Sequence, residues 1–475
     1  MSDIFRKMPI ERILNERKEG PQLKRVYGAF ELIMLGIGVI VGTGIFVITG
    51  VAAADYAGPA LTISFIIAGF ACACAALCYA ELASMIPASG SSYTFCYVGL
   101  GEVFGWFVGW CLTLEYIVAM SAIATGWSAY ITNLLSVVGI HLPSFLVAGP
   151  FSGGLVNLPA IIIVSAIAGL LILGAKESAN VNNFLVIVKI GIVILFIVLG
   201  VRHVNVANFT PFMPYGWDGV FSGAAIVFFA YLGFDAIANA AEEVKDPAKD
   251  LPKGIIGSLI VVTVLYIAVT LVLTGMLPYL KYHDVAAPVA YALAQVGVNW
   301  GSALVSVGAV TGLTSGVLVT MYSSTRLIYA ISRDGLLPTK FSKISEKAST
   351  PTSSTFLIWL LGCLITGFLP IGIIAELVNM GTIAAFIMVS ITVIKLRQSH
   401  PEIERSFRVP LVPVVPILAV VICGFLALQL ASITKIAFVC WVALGLIIYF
   451  SYGKQHSLLG KELNAKTSIE DKRSV

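Results

Sequence analysis

Read along its length, the chain is a succession of apolar runs separated by short polar breaks, with hardly a charge inside any run. Twelve runs are visible, near 29–50, 59–86, 97–130, 155–174, 181–201, 219–240, 254–277, 302–331, 354–370, 373–396, 411–431 and 434–452. A helix rising about 1.5 Å per residue needs roughly 20 residues to cross about 30 Å of hydrocarbon, so each run is close to one crossing. The pattern predicts an all-α integral membrane protein of 12 transmembrane helices, with no stretch left for a separate soluble domain. Residues 1–28 form a charge-rich leader containing RKMPIERILNERKEG, and 453–475 form a tail. No small-residue cleavage pattern follows the first run, so it is expected to be a retained helix and not a signal peptide.

Composition agrees with the pattern. Hydrophobic residues make up 58% of the 475 positions and charged ones 11%, and mean hydropathy is +0.96, outside the range of a water-soluble core in a charged shell. Charge adds the orientation. With both termini inside, the cytoplasmic side would carry 25 Lys and Arg against 3 outside (Arg202, Lys281, Lys435), and the remaining one of the 29, Lys189, sits inside a run. A miscounted helix would swap every later loop and spoil that asymmetry. The net charge of +4 therefore reflects topology and an anionic inner leaflet, not nucleic-acid binding. The eight cysteines mostly lie within runs and form neither a secreted disulfide frame nor a zinc pattern, as packed free thiols would.

Two runs differ from the rest. LGIGVIVGTGIF (35–46) places glycines at 36, 38, 42 and 44, and FFAYLGFDAIANAAEE (228–243) places Gly233 and Asp235 at mid-depth, five helices later. Interrupted segments at corresponding places in two halves point to an inverted-repeat transporter, because irregular backbone survives at membrane depth only where it lines a watery cavity. The repeats would be 29–201 (helices 1–5) and 219–396 (helices 6–10), with helices 11–12 (411–452) outside them. Close helix packing is the alternative for Gly36 and Gly38. For Gly42-Thr43-Gly44 an unwound turn is expected, leaving N–H groups free to face a ligand. The segment after helix 7, PYLKYHDVAAPVAYALAQVGVNW, is long enough for a short outer helix acting as a lid.

Charged side chains within the hydrocarbon are few. Lys189, about 12 Å from the nearer end of its helix, is too deep to snorkel and must face partners in the interior or give up its proton. Glu115, ringed by apolar neighbours in GWCLTLEYIVAM, is placed to exchange a proton with one side, or else to hold helices together while neutral. Asp235 is expected to cap the half-helix that restarts after the second break. Glu81, six residues before Pro87, would gate the inner mouth or be solvated there, and Glu242 and Glu243 would form a solvated cluster. No two histidines stand four apart, no GxxxxGK ends in Ser or Thr, and no filter motif recurs, which removes HExxH metalloprotease, Walker ATPase and filter-type channel chemistry.

Together GVIVGTGIF, PASGSSYTFCYVGLGEVFGWFVGWCLTLEY (87–116), FFAYLGFDAIANAAEEVKDPAKDLPKGI (228–255) and RLIYAISRDGLLP (326–338) resemble the amino acid–polyamine–organocation superfamily, and within it the bacterial relatives of the cationic amino acid transporters, over residues 24–455. The resemblance implies a LeuT-type 5+5 inverted repeat with helices 1 and 6 broken. It implies a carboxylate cradle on the backbone of Gly42, Thr43 and Gly44, ammonium acceptors at the carbonyls of Ile40, Phe229 and Leu232, and an aromatic gate at Phe229. It also implies a coupling or structural role for Glu115 and for Lys189, the latter standing where sodium-driven cousins hold a cation. No second acid is placed for a cationic side chain, and Ala119, Ser121, Thr314, Ser315 and Met321 on helices 3 and 8 suit small neutral substrates. The expected function is proton-coupled symport of an alanine-like amino acid by alternating access in a bacterial plasma membrane, with no cofactor, metal or enzymatic step. A cationic amino acid or polyamine exchanger of the same fold, and an amino-acid-sensing receptor, are the alternatives. The partners are the substrate and the bilayer; a monomer, with or without a small accessory membrane peptide, meets these requirements.

Overall fold

The computed structural model describes residues 4–10, 27–86, 90–137, 139–172, 179–239, 244–343, 351–403 and 405–463. Most of the leader, the inner-mouth residues 87–89, Lys176, Glu242, Glu243 and the end of the tail lie outside the described residues. The apolar runs become helices. The first, α1, comprises Ala29–Ile40 and a second half over 44–57, followed by α2 (Leu61–Met85), α3 (Glu102–Val137), α4 (Leu158–Ile172) and α5 (Ala179–Val201). The sixth, α6, comprises Gly216–Val227, a 3-10 turn Phe228–Tyr231 and the short Ala236–Asn239. Then come α7 (Pro247–Met276), α8 (Asn299–Arg333), α9 (Thr352–Phe368), α10 (Ile371–Ser399), α11 (Val414–Gln429) and α12 (Ser432–Ile448). Among the described residues six helical stretches are long and apolar enough to span a bilayer, with shorter apolar helices between them.

Local chemistry explains where several begin. Pro247 occupies the first turn of α7, where a missing N–H costs nothing, and prolines immediately precede α9, α10 and α11. At α1 the Glu31 carboxylate accepts the Gly28 N–H at 2.8 Å, closing the first turn. The run predicted from 97 divides into a short buried helix, Ser91–Gly99, and α3, because Gly101 takes a positive φ of 118° between them. The outer helix expected after α7 is Pro288–Gln295. A two-stranded hairpin, β1 (Val147–Ala148) against β2 (Val156–Asn157), links α3 to α4 and had no signal in the hydropathy.

Helix partners obey an exchange of halves. α1 packs on α7 as α6 packs on α2; α3 packs on α10 as α8 packs on α5; and α2 meets α10 as α7 meets α5. Even the short connecting helices correspond: Ser91–Gly99 lies on α3 and α10, Pro288–Gln295 on α8 and α5. Such reciprocal partnering is what an internal two-fold repeat produces. The outward faces are apolar, with Ile187, Val198, Val264, Ile436 and Ile447 all exposed, as a surface solvated by lipid requires.

At the face carrying the leader, fully buried Glu102 opens α3. Its carboxylate receives Arg6 through two N–H groups at 2.7 and 2.6 Å, the Tyr97 and Tyr449 hydroxyls at 2.8 and 2.9 Å, and the Ser457 hydroxyl. Residues from both ends of the chain thus converge on one carboxylate.

Candidate functional site

α1 stops being helical at Ile40. Val41 is extended, with ψ of 99°, and the chain coils again from Gly44. The Gly42 carbonyl accepts the Ile45 and Phe46 N–H groups, each at 3.2 Å, while among the described residues the N–H groups of Gly42, Thr43 and Gly44 have no backbone acceptor. Unpaired donors at a helix start form an anion-seeking surface. In α6 the interruption is a 3-10 turn over Phe228–Tyr231, then extended Leu232 (ψ 144°), then Gly233 at φ +112°, a conformation only glycine adopts cheaply.

The two interruptions touch. A side chain at Gly44 would run into the backbone of Ala230, and one at Gly233 into Val39. Tyr266 of α7 stands between them, its hydroxyl 2.9 Å from the Ile40 carbonyl and 2.8 Å from that of Ala230. One hydroxyl proton serves one carbonyl at a time, so Ile40, expected to face an ammonium, already has a protein donor beside it. Tyr266 was not foreseen: an aromatic in an apolar run reads as filler, and its partners are carbonyls released by two breaks distant in sequence.

Lys189, 2% exposed, donates from Nζ to the Gly38 carbonyl at 2.8 Å and lays its stem against Gly312 of α8. It therefore fastens α5 to the last turn of α1 before the break. Glu115 of α3 is equally buried, and its Oε2 has no hydrogen-bond partner among the described residues. Beside it lies Asp235, whose carboxylate accepts the Tyr116 hydroxyl at 3.2 Å and whose main-chain carbonyl accepts the Ala238 N–H, opening the restarted half-helix.

Glu115 and Tyr116, but not Lys189, Asp235 or Tyr266, line a cavity of about 50 Å³, room for roughly three or four waters. Gly42, Thr43 and Gly44 line one side, and Phe229, Leu232 and Gly233 another. α3 contributes Glu115, Tyr116, Ala119 and Ile123, and α8 contributes Val319, Thr320 and Ser323. The Thr43 hydroxyl is buried there without a partner among the described residues.

Several expectations need correction. Met321 does not line the cavity. It shares a stripe with Val317 and Ile328 that packs on Ile117, Val164 and Ile358 in a separate apolar cluster, while 319, 320 and 323 occupy the cavity face. Ser121 is bonded to Ile117, Thr314 receives the Trp127 indole N–H, and Ser315 is likewise absent from the lining, leaving Ala119 as the small residue correctly placed. Glu81 is not solvated: at 1% exposure it receives Arg397 through two N–H groups at 2.9 and 2.6 Å, Arg405 at 3.3 Å and the Val409 N–H at 2.7 Å.

Comparison with known proteins follows this geometry. Residues 27–452 match the family described as amino acid permease. The chain is 51% identical to the methylthioribose transporter of Bacillus subtilis (strain 168), over 97% of this chain and 100% of that one. It is 48% identical to the branched-chain amino acid permease BcaP of the same organism, over 96% and 99%. Cationic amino acid transporter 4, vacuolar, of Arabidopsis thaliana is 35% identical over 85% of this chain and 68% of its own length.

Proposed function

The chain belongs to the amino acid permease family, and from that footing we propose that it is a secondary active carrier importing a small apolar L-amino acid with a proton. The observation that carries the reading is the meeting of two backbone interruptions at one cavity: the N–H groups of Gly42–Gly44, which have no backbone acceptor among the described residues, suit a carboxylate, and the carbonyl of Leu232 opposite, with the second lone pair of the Phe229 carbonyl that accepts the Leu232 N–H at 3.3 Å, suits an ammonium. Ala119, Ile123 and Val319 leave an apolar space for the side chain, which favours alanine- to valine-sized substrates. Phe229 closes the space, Glu115 carries the proton, and the Lys189 ammonium holds the segment around Gly38 without need of sodium. We place the protein in a bacterial plasma membrane with the leader face cytoplasmic.

The test is uptake of labelled alanine and valine into proteoliposomes under an imposed pH gradient. Uptake should rise with the inward proton gradient, and Lys189→Ala should abolish it because the bond to Gly38 is lost. Uptake indifferent to the gradient ends the symport claim, and uptake only into vesicles preloaded with amino acid makes the protein an exchanger.

A second reading has an observation of its own. The relative at 51% identity is named for methylthioribose, a thioether sugar with neither ammonium nor carboxylate, and the Thr43, Thr320 and Ser323 side chains line the same cavity. Competition separates the two: methylthioribose displacing labelled alanine at equal or lower concentration than valine would favour the sugar.

A further inference from the structure

Away from the cavity, where α10 ends and the chain turns towards α11, a cleft of about 180 Å³ is lined by Arg397, Pro401, Arg405 and Arg408. The buried Glu81 carboxylate behind it is fully engaged by Arg397, Arg405 and the Val409 N–H. Arg405 gives Nη1 to the Ile403 carbonyl and Nη2 to those of Leu396 and His400. Arg397 gives Nε and Nη2 to Glu81 and Val409, which leaves Nη1, and among the described residues Arg408 has no hydrogen bond or ion pair. Among the described residues three guanidinium groups thus meet one carboxylate in an open cleft, and exposed Glu402 does not line it; Glu404 lies outside the described residues. Fork-shaped donors of this kind match phosphate oxygens.

A second feature adjoins the cleft. Leu411, in the turn before α11, is 74% exposed, and Val414, Ile417 and Val421, at a spacing of three and four along one face of α11, are 52%, 48% and 59% exposed. A free phosphate has no use for that strip, whereas a phospholipid does. We propose that the cleft binds an anionic phospholipid, its headgroup phosphate between Arg397 and Arg408 and an acyl chain along Leu411 to Val421. The proposal depends on the membrane setting of the fold and not on the identity of the transported substrate.

Native mass spectrometry of the detergent-solubilised full chain tests it, with phosphatidylglycerol, phosphatidylcholine of the same chains and inorganic phosphate as probes. Phosphatidylglycerol should bind roughly tenfold tighter than phosphatidylcholine, and Arg408→Gln should remove most of that preference, since one charged hydrogen-bonding group is worth about that factor. Arg408→Lys, which keeps the charge and loses the fork, should fall between. Arg408 is exposed and has no hydrogen bond among the described residues, so both variants should retain the wild-type unfolding temperature. Unchanged phosphatidylglycerol preference in Arg408→Gln overturns the proposal, as does inorganic phosphate displacing the lipid at equal concentration, which would make this a site for the free ion. Neither result bears on uptake, which is measured separately.

Discussion

Gly42 and Gly44 are two residues apart and do different work. Added bulk at Gly42 meets nothing within 4 Å, whereas at Gly44 it meets the backbone of Ala230. Gly44→Ala should therefore force the interruptions apart, and overpacking of that kind costs about 1–3 kcal/mol. Gly42→Ala should fold with its unfolding temperature unchanged and raise the KM for uptake, because the new methyl projects where ligand backbone would lie. Thermal unfolding of both variants beside their uptake curves checks this, and equal destabilisation would contradict it. The glycines were legible because glycine is costly in a helix and its clustering in an apolar run demands a reason. Met321 was misplaced for a related reason: periodicity groups residues into stripes, but which stripe of α8 faces the cavity depends on the packing of α3, α4 and α9.

Among elements, the second half of α1 is fastened on the far face by contacts that no pattern announces. Tyr215 donates to the Ala54 carbonyl at 2.6 Å, and exposed His283, in the loop after α7, meets the Asp55 carboxylate at 2.7 Å. The hydrogen bond to Asp55, then its charge and that of Asp284, raise the His283 pKa above the ordinary histidine value. A raised folded-state pKa means that the contact contributes fully below the unfolded value near about 6.5 and is lost as pH climbs through the raised one. Hydrogen exchange over 50–57 should therefore quicken in the wild type as pH rises from about 6 to 9, after correction for intrinsic exchange, and His283→Gln should be fast throughout. A variant matching the wild type at both ends would remove the latch. Glu81 and Arg397, 316 positions apart, show why such links escape sequence reading: each alone looks like an interfacial charge, and only the exchange of helices between halves brings them together.

For the whole molecule, the twelve-run pattern and the paired interruptions carried most of the architecture, because lipid forces the backbone to satisfy itself within each segment and so ties hydropathy to topology. Lysine and arginine asymmetry makes one further statement at this scale: both ends should lie in the cytoplasm. Reporter fusions after the tail should give fluorescent green fluorescent protein and inactive alkaline phosphatase, and the reverse pair would invert the assignment. What hydropathy could not convey was the arrangement of long-range polar contacts, since each joins residues whose local surroundings are unremarkable.

The meeting of Arg6, Tyr97, Tyr449 and Ser457 on Glu102 restricts how such a molecule can rock. Pulling the start of α3 away from Arg6 and from Tyr449 and Ser457, which follow α12, would strip a desolvated anion of its donors, a loss of about 3–5 kcal/mol where a buried pair is broken. If the protein works by the alternating access proposed above, α3 and the terminal segments bonded to Glu102 would act there as a stator, and opening towards the leader side would fall to the first half of α1 and the restarted piece of α6, with the glycines as pivots.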